Sequence, residues 1–223
     1  MRFPRIDAAA LCMLLSTSPL AAQGLDLLGV NTAETRYAIS SDSTDNLQVT
    51  ATQLRQISSE QLSWEQAGKL VVPLSNAMLE RDITSPKRRA AFLAQIGHES
   101  WGFTKMVEKA DGWAYEGRRD LGNTHSGDGP RYKGRGLIQL TGRANYREAG
   151  KALGIDLEGN PEKAAEPGVA AKVAGWYWSK YGCNELADKG DFWTITQRIN
   201  GGQNGAKDRY AYWARAKKAV GIA

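Results

Sequence analysis

The stretch that decides how this chain is read runs from Phe92 to Tyr146. It opens with Gly97-His98-Glu99-Ser100, passes Glu108 and Glu116, and closes on Arg131-Tyr132-Lys133-Gly134-Arg135-Gly136-Leu137-Ile138-Gln139-Leu140-Thr141-Gly142-Arg143-Ala144-Asn145-Tyr146. Acids, glycines, arginines, aromatics and amides are denser here than packing alone requires. Its first part is a helix. Ser85 followed by Pro86 is a capping serine with proline at the first helical position, and Ala90, Leu93, Ala94 and Ile96 give an inward face up to about residue 100.

Outward from that stretch the pattern stays helical. Upstream, Leu54, Ile57, Leu62, Leu70, Val71, Leu74, Met78 and Leu79 follow a helical rhythm, and Ser63 with Gln66 forms a capping box that splits the region into two helices. Downstream, Thr141 is expected to cap a helix that runs through Leu153 and stops at Gly154. Asn160-Pro161 starts another, Val169 to Tyr181 forms one stopped by Gly182, and Trp193–Ile199 and Arg209–Val220 complete the set. Alternating apolar and polar runs are nearly absent. Gly117 to Gly136 is expected as a long ordered loop or small hairpin, and a connection of that length inside a compact domain is usually functional.

The whole chain has 223 residues, 42% hydrophobic and 24% charged, with seven tryptophans, which bounds it to a folded body with a sizeable core. Arg2 and Arg5, the apolar run Ala8–Leu15 and the small residues ending at Ala21-Ala22 have the layout of a signal peptide over residues 1–22, so export to the periplasm or beyond is expected. Residues 23–48 read as a polar spacer, and 49–223 as one compact domain. The leader's apolar run is too short to span a bilayer, so no stable membrane insertion is expected. The net charge of +5 suits an anionic partner, among them nucleic acid and acidic cell-wall polymer. Cys12 lies in the leader and leaves Cys183 without a partner, so no disulfide framework or thiolate metal site can be built. Neither a metal nor a cofactor is expected, and a monomer is.

Three carboxyls are candidates for chemistry. Glu99 leaves an apolar helix among His98, Trp101 and Phe103, surroundings that would desolvate its ionised form, as a general acid requires. Glu108 lies nine residues on. Along one continuous helix the two side chains would point to opposite sides, so a joint role demands a break, and Gly102 is the place for it. Glu116 sits beside Arg118 and Arg119, which would hold it ionised. A carboxylate pair is the equipment for glycoside hydrolysis, and Trp113, Tyr115, Trp176 and Trp178 are aromatics that could stack on sugars.

These motifs carry a resemblance. His98-Glu99-Ser100, Tyr115-Glu116-Gly117-Arg118 with Asp120 to Thr124, Gly127 to Tyr132, Lys133 to Thr141, Asn145-Tyr146 and Arg198-Ile199-Asn200-Gly201-Gly202 are similar to those of glycoside hydrolase family 19, the lysozyme-like chitinases and their phage endolysin relatives. The resemblance covers most of residues 49–223. It implies a mainly α, two-lobed lysozyme-like fold and an inverting glycosidase acting on β-1,4-linked N-acetylglucosamine polymers. It implies Glu99 as the acid and Glu108 as the base, with Glu116 as the alternative base. It implies Gln139, Thr141, Asn145 and Asn200 as residues that hold water or sugar, and more loosely Arg209. An inverting pair stands roughly 6.5–9.5 Å apart.

Trp101 departs from a glycine common after the His-Glu motif, and the cysteine-bonded loops of plant chitinases are missing. A short, basic, disulfide-free body resembles the endolysin branch and favours peptidoglycan as the glycan polymer, with chitin as the alternative. A third reading is a non-catalytic module binding glycan or nucleic acid through the arginine-rich stretch Arg118–Arg147. The retained Glu99, Glu108, Gln139 and Asn145 argue against it, and nucleic acid is not expected as a partner.

Overall fold

The computed structural model describes residues 48–222, so the expected leader (1–22) and nearly all of the expected spacer (23–48) lie outside the described residues. Helices α1 (Ala51–Ile57) and α2 (Trp64–Glu80) form the pair that the Ser63 cap anticipates. Ser63 Oγ accepts from the Gln66 amide at 3.1 Å, and Gln66 Oε1 accepts from the Ser63 amide at 3.2 Å. Thr50 and Gln53 close the same box at the start of α1. Each box satisfies two amides that a helix start leaves without partners.

Helix α3 (Pro86–Glu99) begins at Ser85 as expected, and its residues from Ala90 to Gly97 are all buried. It is therefore the central helix, wrapped by α1, α7 (Cys183–Asp188), α8 (Phe192–Asn200) and α9 (Ala206–Ala219). Its most extensive packing is against α9. Gly97 sets that distance: a Cβ there would lie 3.0 Å from Tyr212 Cδ1 and 3.2 Å from Phe103 Cζ. On the other side α2 packs on α6 (Pro167–Lys180), and α6 on α5 (Arg143–Leu153). Phe92 and Trp178 meet edge to face at 5.5 Å and tie both sides into one core. The fold is mainly helical, as the sequence predicts. Among the described residues no helix is long and apolar enough to cross a membrane.

Three details differ from expectation. Gly182 does not merely stop α6; at φ 57° it is the N-cap of α7, a six-residue helix too short to show a period. Burial pushes the Cys183 thiol of α7 up to about 12, which makes it inert. Thr141 does not cap α5. Gly142 takes the N-cap position at φ 91°, where a Cβ would lie 2.7 Å from Leu121, and Thr141 Oγ1 donates to Gln139 O instead. The Arg143 amide at the start of α5 is satisfied from a distance, by Asn123 Oδ1 at 2.8 Å.

The segment expected as a loop or small hairpin is a chain of single turns. It holds 3-10 turns at Trp113–Tyr115 and Arg119–Leu121 and the one-turn helix α4 (Asp128–Arg131). Isolated bridges join Val107 to Arg135 and Arg135 to Leu140, with no hairpin between them. Asp128, 1% exposed, locks these turns to α5. It accepts from the amides of Thr124 and His125 at 3.0 Å each, and from Arg143 Nη2 at 2.5 Å and Nε at 2.9 Å. The Arg143 guanidinium holds the Asp128 carboxyl at about 2, well below the usual carboxylate range.

Because that folded value is depressed, the stability Asp128 contributes is present above its unfolded value near pH 4 and is lost as pH falls toward 2. Asp128→Asn is expected to cost about 2 kcal/mol at neutral pH in denaturant titrations, and to flatten the decline in stability between pH 4 and 2.

Candidate active site

Glu99 is the last residue of α3, and the chain turns sharply after it. Ser100, buried, donates through Oγ to Ile96 O at 2.6 Å and accepts from the Phe103 amide at 3.1 Å. Trp101, Gly102 and Phe103 then follow one another in left-handed backbone, at φ 52°, 69° and 65°. This is the break that the nine-residue spacing to Glu108 demands. Gly102 lies at its middle, where a Cβ would come within 3.1 Å of Ser58 Cβ.

The apolar surroundings expected for Glu99 are replaced by a guanidinium. Arg209 Nη2 donates to Glu99 Oε1, Nη1 donates to Gln95 Oε1 at 2.5 Å, and Nε reaches Asn204 O at 3.3 Å. Gln95 Nε2 in turn donates to Thr196 Oγ1 at 2.8 Å, and that hydroxyl donates to Phe192 O at 3.0 Å. A polar chain thus runs from α8 through α3 to α9. Arg209 is only 1% exposed, so the structure corrects its expected place among the sugar-binding residues: all of its contacts are internal, and it positions Glu99. Asn200, also expected to bind sugar, is half-buried and reaches Asn204 O at 3.4 Å, closing the turn that leads into α9. Beside Glu99 a cavity of about 480 Å³ is lined by Gln61, His98, Trp101, Asp208 and Tyr212, with His98 Nδ1 2.7 Å from Asp208 Oδ2.

Glu108 is held from the other segment. Its amide donates to Gly134 O at 2.9 Å, and the Gly134 amide donates back to Glu108 Oε2 at 3.0 Å. Tyr115 Oη donates to Glu108 Oε1 at 2.9 Å. Each carboxyl oxygen of Glu108 therefore accepts one bond, which fixes the orientation of the group. Burial, and then the bond to Glu108, push the Tyr115 phenol above its ordinary value, which keeps it a donor. Tyr115 is a site residue whose role the sequence reading missed. Its motif is visible in the sequence but points there to Glu116 and to sugar stacking.

Gln139 meets Glu108 at Gly134, where a Cβ would lie 2.8 Å from Gln139 Oε1 and 3.1 Å from Glu108 Oε2. Gln139 itself adopts φ 52°, a left-handed conformation that costs a residue with a side chain. Its Nε2 donates to Gly136 O at 2.9 Å, Thr141 Oγ1 donates to its carbonyl at 2.9 Å, and Asn145 Nδ2 donates to Thr141 O at 2.7 Å. Glu108 and Gln139 thus meet at Gly134, and Thr141 and Asn145 follow Gln139 through local hydrogen bonds.

Glu116 does not join them. Its expected arginine partners are engaged elsewhere or absent from it: Arg118 pairs with Asp120 at 2.5 Å. Glu116 instead accepts from the amides of Gly127 and Gly129, both at 2.8 Å, and braces the loop. A larger cavity of about 580 Å³ lies among Asp128, Arg131, Arg143, Asp156 and Glu158. It contains neither Glu99 nor Glu108, and Arg143 there is paired with both Asp128 and Glu158.

A family model described as "Chitinase class I" matches residues 75–187. A "Glycosyl hydrolase family 19 domain-containing protein" of Haemophilus influenzae is 38% identical over 154 residues, covering 55% of this chain and 74% of that one. "Chitinase 8" of Oryza sativa subsp. japonica is 36% identical over 153 residues, covering 56% of this chain and 58% of its own length. The chain therefore spans three quarters of the first relative and little more than half of the second. Among solved structures, chitinase C from Streptomyces griseus HUT6037 superposes with a TM-score of 0.64 at 25% identity, covering 80% of this chain and 79% of that one.

Three substitutions test the geometry. Gly134→Ala drives a methyl between Gln139 and Glu108 and is expected to lower kcat/KM about 100-fold on any glycan the protein cleaves, with helical circular dichroism preserved. Glu116→Gln is expected to lower stability by about 2 kcal/mol while retaining turnover, whereas Glu108→Gln abolishes turnover. Equal losses of turnover in the two glutamine variants would return Glu116 to the catalytic pair.

Proposed function

Because the chain belongs to glycoside hydrolase family 19, a family of glycosidases, we propose that it cleaves β-1,4 bonds of an N-acetylglucosamine-containing polymer with inversion. Supporting this reading above all is the pair of carboxyls on opposite sides of the left-handed turn, each fixed by different donors. Arg209 occupies Glu99 Oε1, which leaves Oε2 to carry the proton to the glycosidic oxygen. As the bond breaks, the carboxylate left on Glu99 is compensated by the same guanidinium. Glu108, held by Tyr115 and the Gly134 amide, takes the proton of the attacking water. Gln139, close to Glu108 at Gly134, with Thr141 and Asn145 bonded in sequence behind it, is assigned to hold that water or the sugar's amide and hydroxyls.

The finer substrate is peptidoglycan. Lys105, Lys109 and Arg119 are exposed on the segment that carries Glu108, and the chain's net charge is +5, both of which suit a polymer bearing peptide carboxylates. Chitin is the second reading, favoured by the names of the rice and Streptomyces relatives. Export on the leader-like first 22 residues would bring the protein to either polymer.

Wild-type protein is expected to clear suspensions of purified peptidoglycan faster than it releases oligomers from chitin; the opposite order of rates would make chitin the substrate. Glu99→Gln is expected to be slower by about 100-fold or more. A Glu99→Gln protein as fast as wild type would end the assignment of the acid.

A further inference from the structure

The turn after Glu99 is built in a way that catalysis by the two carboxyls does not explain. Trp101 is 72% exposed and sits at φ 52°, so a large apolar side chain is held in water on a backbone that glycine would adopt at lower cost. Nothing in the packing demands an indole there. The backbone around it is nonetheless fixed. The Trp101 amide donates to His98 O at 3.2 Å, its carbonyl accepts from Thr104 Oγ1 at 2.8 Å, and the Gly102 amide donates to Gly97 O at 2.7 Å. Phe103, buried to 2% exposure, anchors the turn inward against Gly97. The indole is presented outward on a rigid mount, and it lines the same cavity as Glu99.

We infer that Trp101 is a stacking platform for one pyranose ring next to the acid, a subsite in which the neutral N-acetylglucosamine unit is read. An indole face matches the apolar C–H face of such a ring. Gln61, His98 and Tyr212 supply polar groups around it for hydroxyl and acetamido contacts. The charge there selects the occupant. Asp208, its side chain 60% exposed and 2.7 Å from His98 Nδ1, brings a carboxylate to the lining of this cavity, which suits a neutral sugar better than an anionic muramyl-peptide unit. The subsite rests on the glycosidase reading above and sharpens it: on this side of the cleft the polymer is recognised through its uncharged sugar.

The test uses Glu99→Gln protein, expected to cut at least about 100-fold more slowly than wild type, titrated with the N-acetylglucosamine tetramer while indole emission is followed. Adding Trp101→Gly is expected to raise Kd about tenfold and to remove most of the emission change, and Trp101→Phe is expected to recover part of the affinity. The Trp101→Gly protein should melt no lower than its parent, because glycine suits φ 52°, so weakened binding cannot be put down to unfolding. Affinity that stays within about twofold in Trp101→Gly overturns the subsite. A muramyl-peptide disaccharide bound through Trp101 more tightly than the neutral tetramer overturns the choice of occupant. Wild-type protein that binds the tetramer through Trp101 yet hydrolyses neither polymer sinks the hydrolase reading and leaves the subsite standing.

Discussion

The bond between Arg209 and Glu99 is the constraint on which the rest of the structure depends. A guanidinium at 1% exposure must have its charge and its donors satisfied, and here they are taken by Glu99, Gln95 and the Asn204 carbonyl. For this to happen α9 must lie close against α3, and the bare Gly97 makes room for Tyr212. The same approach fixes the end of α3, and so the place at which the chain turns left-handed toward Glu108. Such a pair contributes little net stability compared with apolar packing, because both charges are taken out of water. What it contributes is position. On the proposed reading of Glu99 as the acid, a fixed location matters more to that carboxyl than a lower folding energy.

The second half of the site solves a different problem. Residues 104–142 contain little regular structure, yet their amides need partners. Three carboxylates provide them. Glu108 accepts from the Gly134 amide, Glu116 from those of Gly127 and Gly129, and Asp128 from those of Thr124 and His125. Each acid organises a different stretch of the same segment, and only one of them lies beside Gln139. Acid-rich and glycine-rich composition therefore belongs together here: the glycines allow close approach, and the carboxylates collect the exposed amides. The base proposed at Glu108 would add chemistry to a bracing role that Glu116 and Asp128 share with it.

What could be read from the sequence was what is settled locally. Ser63 with Gln66, and Ser85 with Pro86, mark their helices because cap and capped amide are three residues apart or fewer. The need for a break between Glu99 and Glu108 followed from helical geometry alone. The failures are long-range. Thr141 looked like a cap, but the amide it would have served is taken by Asn123, twenty residues upstream. Glu116 was paired with its sequence neighbours, although its partners lie 11 and 13 residues on. Arg209 is placed among the sugar-binding residues only by a loose resemblance, and no local signal reveals that it is buried. Helix α7 has six residues between glycine and lysine ends, too few for a period to emerge.

Glu99 and Arg209 are separated by 110 positions, and that separation orders events during synthesis. A nascent chain that has reached residue 205 carries both carboxyls and the residues around Gln139, but it lacks α9. Without it Glu99 has no guanidinium, and α3 has lost its most extensive neighbour. Contacts so distant in sequence carry a large loop-closure cost. The setting of the Glu99 side chain is thereby deferred to α9, and a growing chain cannot fix that carboxyl before α9 is made.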